Sequence, residues 1–153
     1  MKKKNVRLPD KLSDLLALAL RDMRAVKKLK SRVLDMDNFH CVRSDGKCAV
    51  CMAGAVMDRT LGAGPRETCS PGDFDFMTAN KLRVIDSMRS GELRDSQLVG
   101  EPDEFRYYVL CDSNNGTVEE FNALVKKHWR RRLQRAPLSV YDEGVEILRA
   151  AGF

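Results

Sequence analysis

Long apolar stretches are missing from this chain of 153 residues. The longest runs from Cys48 to Met57, short of the roughly 18 residues a membrane-spanning helix needs, so no such span is expected. No apolar h-region follows the basic start "MKKKNVRLPDK", which argues against a secretory leader. Histidine occurs twice and tryptophan once, so imidazole chemistry has only His40 and His128 to draw on. The five cysteines are an odd number without the dense spacing of a secreted disulfide scaffold, and a reducing cytoplasm fits that usage. There is no internal repeat, EF-hand spacing, zinc finger, helix-turn-helix or RNA-binding signature.

What is present is the mix of a globular protein, 43% apolar and 32% charged, long enough to bury a core without disulfides or metal. The net charge of +5 hides an asymmetry. Residues 1–32 hold eleven Lys/Arg against three Asp, and residues 126–135 hold six Lys/Arg and no acid, leaving a mildly acidic remainder. The expected organisation is a flexible basic arm at 1–7 and a single helical domain over 8–153, with a possible subdivision near 100–116.

Pro9, Asp10 and Asp14 suit the start of a helix, and Leu12, Leu15, Leu16, Ala19, Met23 and Val26 give it one apolar stripe. The pattern predicts a helix at about 9–30. Its leftover apolar positions, Leu18 and Leu20, would offer a dimer contact if exposed. Residues 32–43 lack helical period and suggest extended chain, and "SDGK" reads as a tight turn. A second helix is predicted from about Lys47 to Leu61, apolar nearly all round and therefore central. Its Ala49, Ala53, Gly54 and Ala55 would let neighbouring backbone approach closely. A third helix is expected at about 77–89, capped by Asp75 or Thr78. A short fourth falls between Gly91 and Gly100. Thr117 and Glu120 form a capping box for a long helix to about Gln134, and a last helix runs from Ser139 to about Ala151. "EFRYYVLC", residues 104–111, is rich in β-formers. The expected fold is mainly α: a compact bundle of five or six helices around a buried central helix, with room for a two-stranded β element made by 32–43 and 104–111.

"GKCAVCMAGAVM", residues 46–57, contains Cys48-x-x-Cys51. Zinc would need four ligands, and Cys41, Cys48, Cys51 and Cys69 are weak candidates, with His40 beside Cys41. A thioredoxin-like site would need a strand and a βαβ frame around the pair. A cysteine nucleophile would need His40 or His128 as its base, and the basic neighbours of His128 disfavour its charged form. The preferred reading is plainer: the thiols are small apolar groups in a core. No metal or cofactor is expected, and no catalytic constellation is visible. Asp73 and Asp75 in "SPGDFDF" read as capping residues.

The basic segments are the candidate contact surface. Lys126, Lys127, Arg130, Arg131 and Arg135 flank Trp129 and Leu133, and the arm adds Lys2, Lys3, Lys4 and Arg7. Such a surface could meet an acidic protein or neutralise phosphates.

"LPDKLSDLLALALRDM", "DMDNFH", "GKCAVCMAGAVMDRTLG" and "SPGDFDFMTANKLRVIDSMRSGEL" together resemble a group of small proteins from tailed phages and prophages. Shared features are a leading amphipathic helix, a Gly-x-Cys-x-Val-Cys-x-Ala-Gly-Ala-Val-Met motif and a following Leu/Arg-rich helix. The resemblance covers roughly residues 8–98, and His40 stands where an aromatic residue is usual. It implies a phage origin and the cytoplasm of an infected host cell, and it implies no reaction. The expectation is a non-enzymatic phage accessory protein that binds and modulates a host or phage protein, such as a host enzyme or a defence component. Nucleic-acid binding through 2–7 and 126–135 is the alternative.

Overall fold

The computed structural model describes residues 6–35, 38–90, 123 and 138–153. Among these residues there are four α-helices and a three-stranded mixed sheet, in the order α1 (Leu12–Lys27), β1 (Arg32–Leu34), β2 (His40–Val42), β3 (Cys48–Val50), α2 (Met52–Arg59), a 3-10 turn (Pro71–Asp73), α3 (Phe76–Ser90) and α4 (Leu138–Ala150). The expectation of a compact five- or six-helix bundle is therefore corrected to an α and β arrangement. The expected helices at 91–100 and 117–134 and the β-rich 104–111 lie outside the described residues.

The error lay at Cys48–Val50. The residues expected to begin the central helix form the middle strand of the sheet, in the order β1-β3-β2. β1 runs parallel to β3, with Arg32 opposite Cys48 and Leu34 opposite Val50. β2 runs antiparallel, with His40 opposite Val50 and Val42 opposite Cys48. Of the two segments expected to form a two-stranded element, 32–43 supplies two strands of this sheet, and 104–111 lies outside the described residues. The "SDGK" turn joins β2 to β3. Gly46 adopts φ +81° there, which glycine reaches without a Cβ penalty, and Arg43 N–H donates to the Lys47 carbonyl across the turn at 2.8 Å.

α1 is the long wall of the core. Leu12, Leu15, Leu16, Ala19, Leu20, Met23 and Val26 are all buried. Leu20 is thus core and not left for a dimer contact, and Leu18 is half-buried against it. Lys11 precedes the helix without a side-chain cap; instead Ser13 N–H donates to the backbone oxygen of Phe153 at 2.9 Å. That bond satisfies one orphan donor of the first turn. The Phe153 ring is buried with Val145 and Leu148 of α4.

α2 is short and buried from Met52 to Asp58. Gly54 explains how closely it is held. A Cβ built there would lie 1.4 Å from the Phe39 carbonyl oxygen, so only glycine permits this approach. Asp75 caps α3, accepting from Thr78 N–H at 2.9 Å, and Asp73 accepts from Ser70 N–H at 2.8 Å. Both aspartates are capping groups. Among the described residues no helix is long and apolar enough to cross a membrane.

Candidate functional site

The chemistry-bearing residues converge on one face of the sheet. Side chains alternate along a strand, so the register sends Arg32, Cys48 and His40 to the same side. α2 lies over that side and delivers Asp58 from its last turn. Arg32 grips the Asp58 carboxylate with two donors, Nε to Oδ2 at 2.7 Å and a terminal nitrogen to Oδ1 at 3.2 Å. His40 is fully buried, with Nε2 3.3 Å from Asp58 Oδ2 and Nδ1 2.6 Å from the Glu67 carbonyl oxygen. A carbonyl and a carboxylate accept only, so both ring nitrogens donate and the ring is an imidazolium.

The electrostatics agree. Burial works against a charged His40, yet the hydrogen bond to Asp58, the neighbouring Cys69 and the Glu67 carbonyl hold its pKa up at about 9 instead of 6.5. Burial likewise works against an ionised Asp58, and the His40 and Arg32 hydrogen bonds overcome it, leaving that carboxyl below its usual 3.8. The unit is one anion shared by two cations inside the fold.

Cys48 Sγ lies 3.5 Å from both ring nitrogens of His40. An in-plane approach equidistant from both at that separation would collide with the carbon between them, so the sulfur rests on the ring face. Neither nitrogen has an N–H left for it. Burial, reinforced by the Asp58 charge, pushes the Cys48 thiol up to about 11, so it stays protonated and a poor nucleophile. Cys51 has a different task. It is the N-cap of α2 in extended conformation, and its Sγ accepts from Gly54 N–H at 3.4 Å. The alternation of extended chain turns the two thiols of the pair to different sides. Cys69 extends the edge of β2 through a bridge to His40, and its thiol contacts Met57 Sδ at 3.8 Å. Cys41 is half-buried, and all four thiols are free. Among the described residues no group of three or more His, Cys, Asp or Glu side chains could hold a metal ion.

A second buried charge ties down the N-terminal segment. Lys81 on α3 is buried, and its ammonium donates to the Leu8 carbonyl at 2.7 Å and to Asp10 at 2.6 Å. The Lys81 hydrogen bond keeps the Asp10 carboxyl below the usual range.

The sequence brought His40 and the cysteines into view but missed Arg32, Asp58 and Lys81. The available signal was an acid, Asp58, at the end of a wholly apolar helix, which needs a cation inside the fold. Of the expected contact residues, Arg7 is described and pairs with Asp10 at 2.8 Å. Lys2, Lys3, Lys4, Lys126, Lys127, Arg130, Arg131 and Arg135, together with His128, lie outside the described residues. Comparison with protein-family models, with curated proteins and with solved structures finds no match for this chain.

Proposed function

We propose that this chain is a phage-encoded accessory protein that acts without catalysis. It docks on a host or phage protein with an acidic surface, in the cytoplasm of the infected cell, and alters that protein's activity. The observation that carries the reading is how the ionisable groups divide. Asp22, Asp58, His40 and Lys81 are buried and Arg32 nearly so, and each is engaged with a partner inside the fold. The cations Arg21, Arg24, Lys27 and Lys28 of α1 and the turn after it reach solvent. Recognition is thereby assigned to cations outside this core, and the sequence supplies more of them at Lys2, Lys3 and Lys4 and at Lys126, Lys127, Arg130, Arg131 and Arg135. The likeness of residues 8–98 to tailed-phage proteins supplies the setting.

The density of cations at 126–135 also suits nucleic acid, and salt separates the two partners. Phosphate binding would weaken steeply as salt rises. Affinity capture from infected cells, with the captured protein identified by mass spectrometry, should recover a partner with the native chain. The triple variant of Lys126, Arg130 and Arg131 to Glu should fail to recover it. Equal capture by both would remove this surface from the proposal, and a salt-sensitive gel shift with an oligonucleotide would transfer it to the second reading.

A further inference from the structure

A groove of about 680 Å³ runs between α1 and α4. On the α1 side its floor is formed by the small side chains of Ala17 and Ala25, and it is closed below by the buried Leu20 and Val145. The two rims carry different charge. Arg21, Arg24 and Lys28 line the α1 rim, one or two helical turns apart; Arg21 is paired with the buried Asp22 of its own helix at 3.1 Å, and Lys28 has no ion-pair partner among the described residues. The α4 rim presents Asp142 and Glu146 with Arg149. Arg24 reaches across to Asp142 at 2.6 Å, both side chains being about half exposed, so this clasp is open to competition from an incoming carboxylate.

From this geometry we infer that the α1–α4 groove docks an acidic helical segment of a partner protein, its carboxylates along α1 and its small apolar residues over Ala17 and Ala25. The inference rests on the binding function proposed above and gives it a second, separate contact. Charge complementarity selects the occupant. A polyanion such as nucleic acid would bring phosphates to both rims and meet Asp142 and Glu146 on one of them. A protein helix can carry acid on one flank alone. A second copy of this chain is the weaker occupant, because among the described residues the only large apolar side chains that are well exposed are Val6 and Phe76, neither lining the groove.

The test uses the full chain and a fluorescein-labelled synthetic helix with alanine and leucine on one face and glutamate on one flank, read by fluorescence anisotropy. Binding of the peptide should weaken about tenfold in Lys28→Glu. It should likewise weaken, on the native chain, when the flank glutamates of the peptide are replaced by lysine. Ala25→Trp, which fills the floor, should also abolish it while thermal melts show both variants folded. Absence of binding, or binding unchanged in Lys28→Glu and Ala25→Trp, overturns the groove. If the peptide is instead released only by Arg130→Glu and Arg131→Glu, the groove is wrong and the acidic-partner reading stands. Concentration-dependent dimerisation lost in Lys28→Glu would assign the groove to a second copy and likewise overturn the inference.

Discussion

Two arginine–aspartate pairs of nearly equal length behave as different objects. Arg32 meets Asp58 at 2.7 Å with side chains 10% and 1% exposed, and Arg24 meets Asp142 at 2.6 Å with side chains 44% and 53% exposed. Distance does not distinguish them, but solvent does. Water already stabilises the outer pair's separated charges, so the contact adds little, about 0–1 kcal/mol. The inner pair has lost its water, and either partner left alone is an uncompensated charge in a core. The same chemistry thus serves as structural cement under α2 and as a replaceable contact on the rim of α1.

The largest expected effect comes from breaking the inner unit. Asp58→Ala leaves Arg32 and His40 buried without an anion and should cost about 3–5 kcal/mol in urea unfolding. Asp58→Asn should cost a comparable amount, because the neutral amide retains the shape and loses the charge. A loss under about 1 kcal/mol would mean the inner pair is no different from the outer one.

The pH dependence follows with its sign. His40 is raised from 6.5 to about 9, so its contribution is complete below about 6.5 and is lost as pH rises through about 9. Asp58 is lowered from 3.8, so its contribution is complete above about 3.8 and is lost as pH falls through its lower folded value. Stability should therefore be greatest at about pH 5–6.5, with a loss on the alkaline side of the order of 3 kcal/mol. Chemical denaturation at a series of pH values checks this, and His40→Gln should flatten the alkaline limb.

Glycines sharpen the contrast between interior and surface. Gly54→Ala should destabilise by roughly 1–3 kcal/mol through collision with the Phe39 carbonyl, although helix propensity alone would make it favourable by up to about 1 kcal/mol. At Gly72 an added Cβ meets nothing nearer than Ser70 Oγ at 3.9 Å, and Gly72→Ala should stay within about 0.5 kcal/mol of the native chain. Arg24→Ala should likewise have a small effect on stability, at most about 1 kcal/mol. A greater loss would show that the α1–α4 clasp holds the fold together.

How much the sequence disclosed follows from the range of each interaction. α1 was legible because its apolar stripe repeats every third or fourth residue and nothing else explains that spacing. Its predicted ends overshot by three residues, since Pro9 and Asp10 belong to the segment that Lys81 anchors to α3. Cys48–Val50 was misread because a fully buried strand and the start of a buried helix present the same unbroken apolar run. The need for small residues in α2 was visible, and Gly54 meets it. The ion triad was not legible, because Arg32, His40 and Asp58 are brought together only by the parallel pairing of β1 with β3 and the placement of α2 above them. No local pattern encodes that meeting. The cysteine spacing suggested chemistry that the strand-to-helix junction disperses, sending one thiol onto the His40 ring and the other to the α2 cap.

The protonation state of one ring decides most of this directly. In a 15N-labelled sample, long-range proton–nitrogen spectra of the two histidines across pH should show His40 with both nitrogens protonated at neutrality and a midpoint of about 9. A His40 that is a neutral tautomer at pH 7, titrating at or below about 6.5, would mean that the buried anion is held by Arg32 alone and that the imidazole is free for other work.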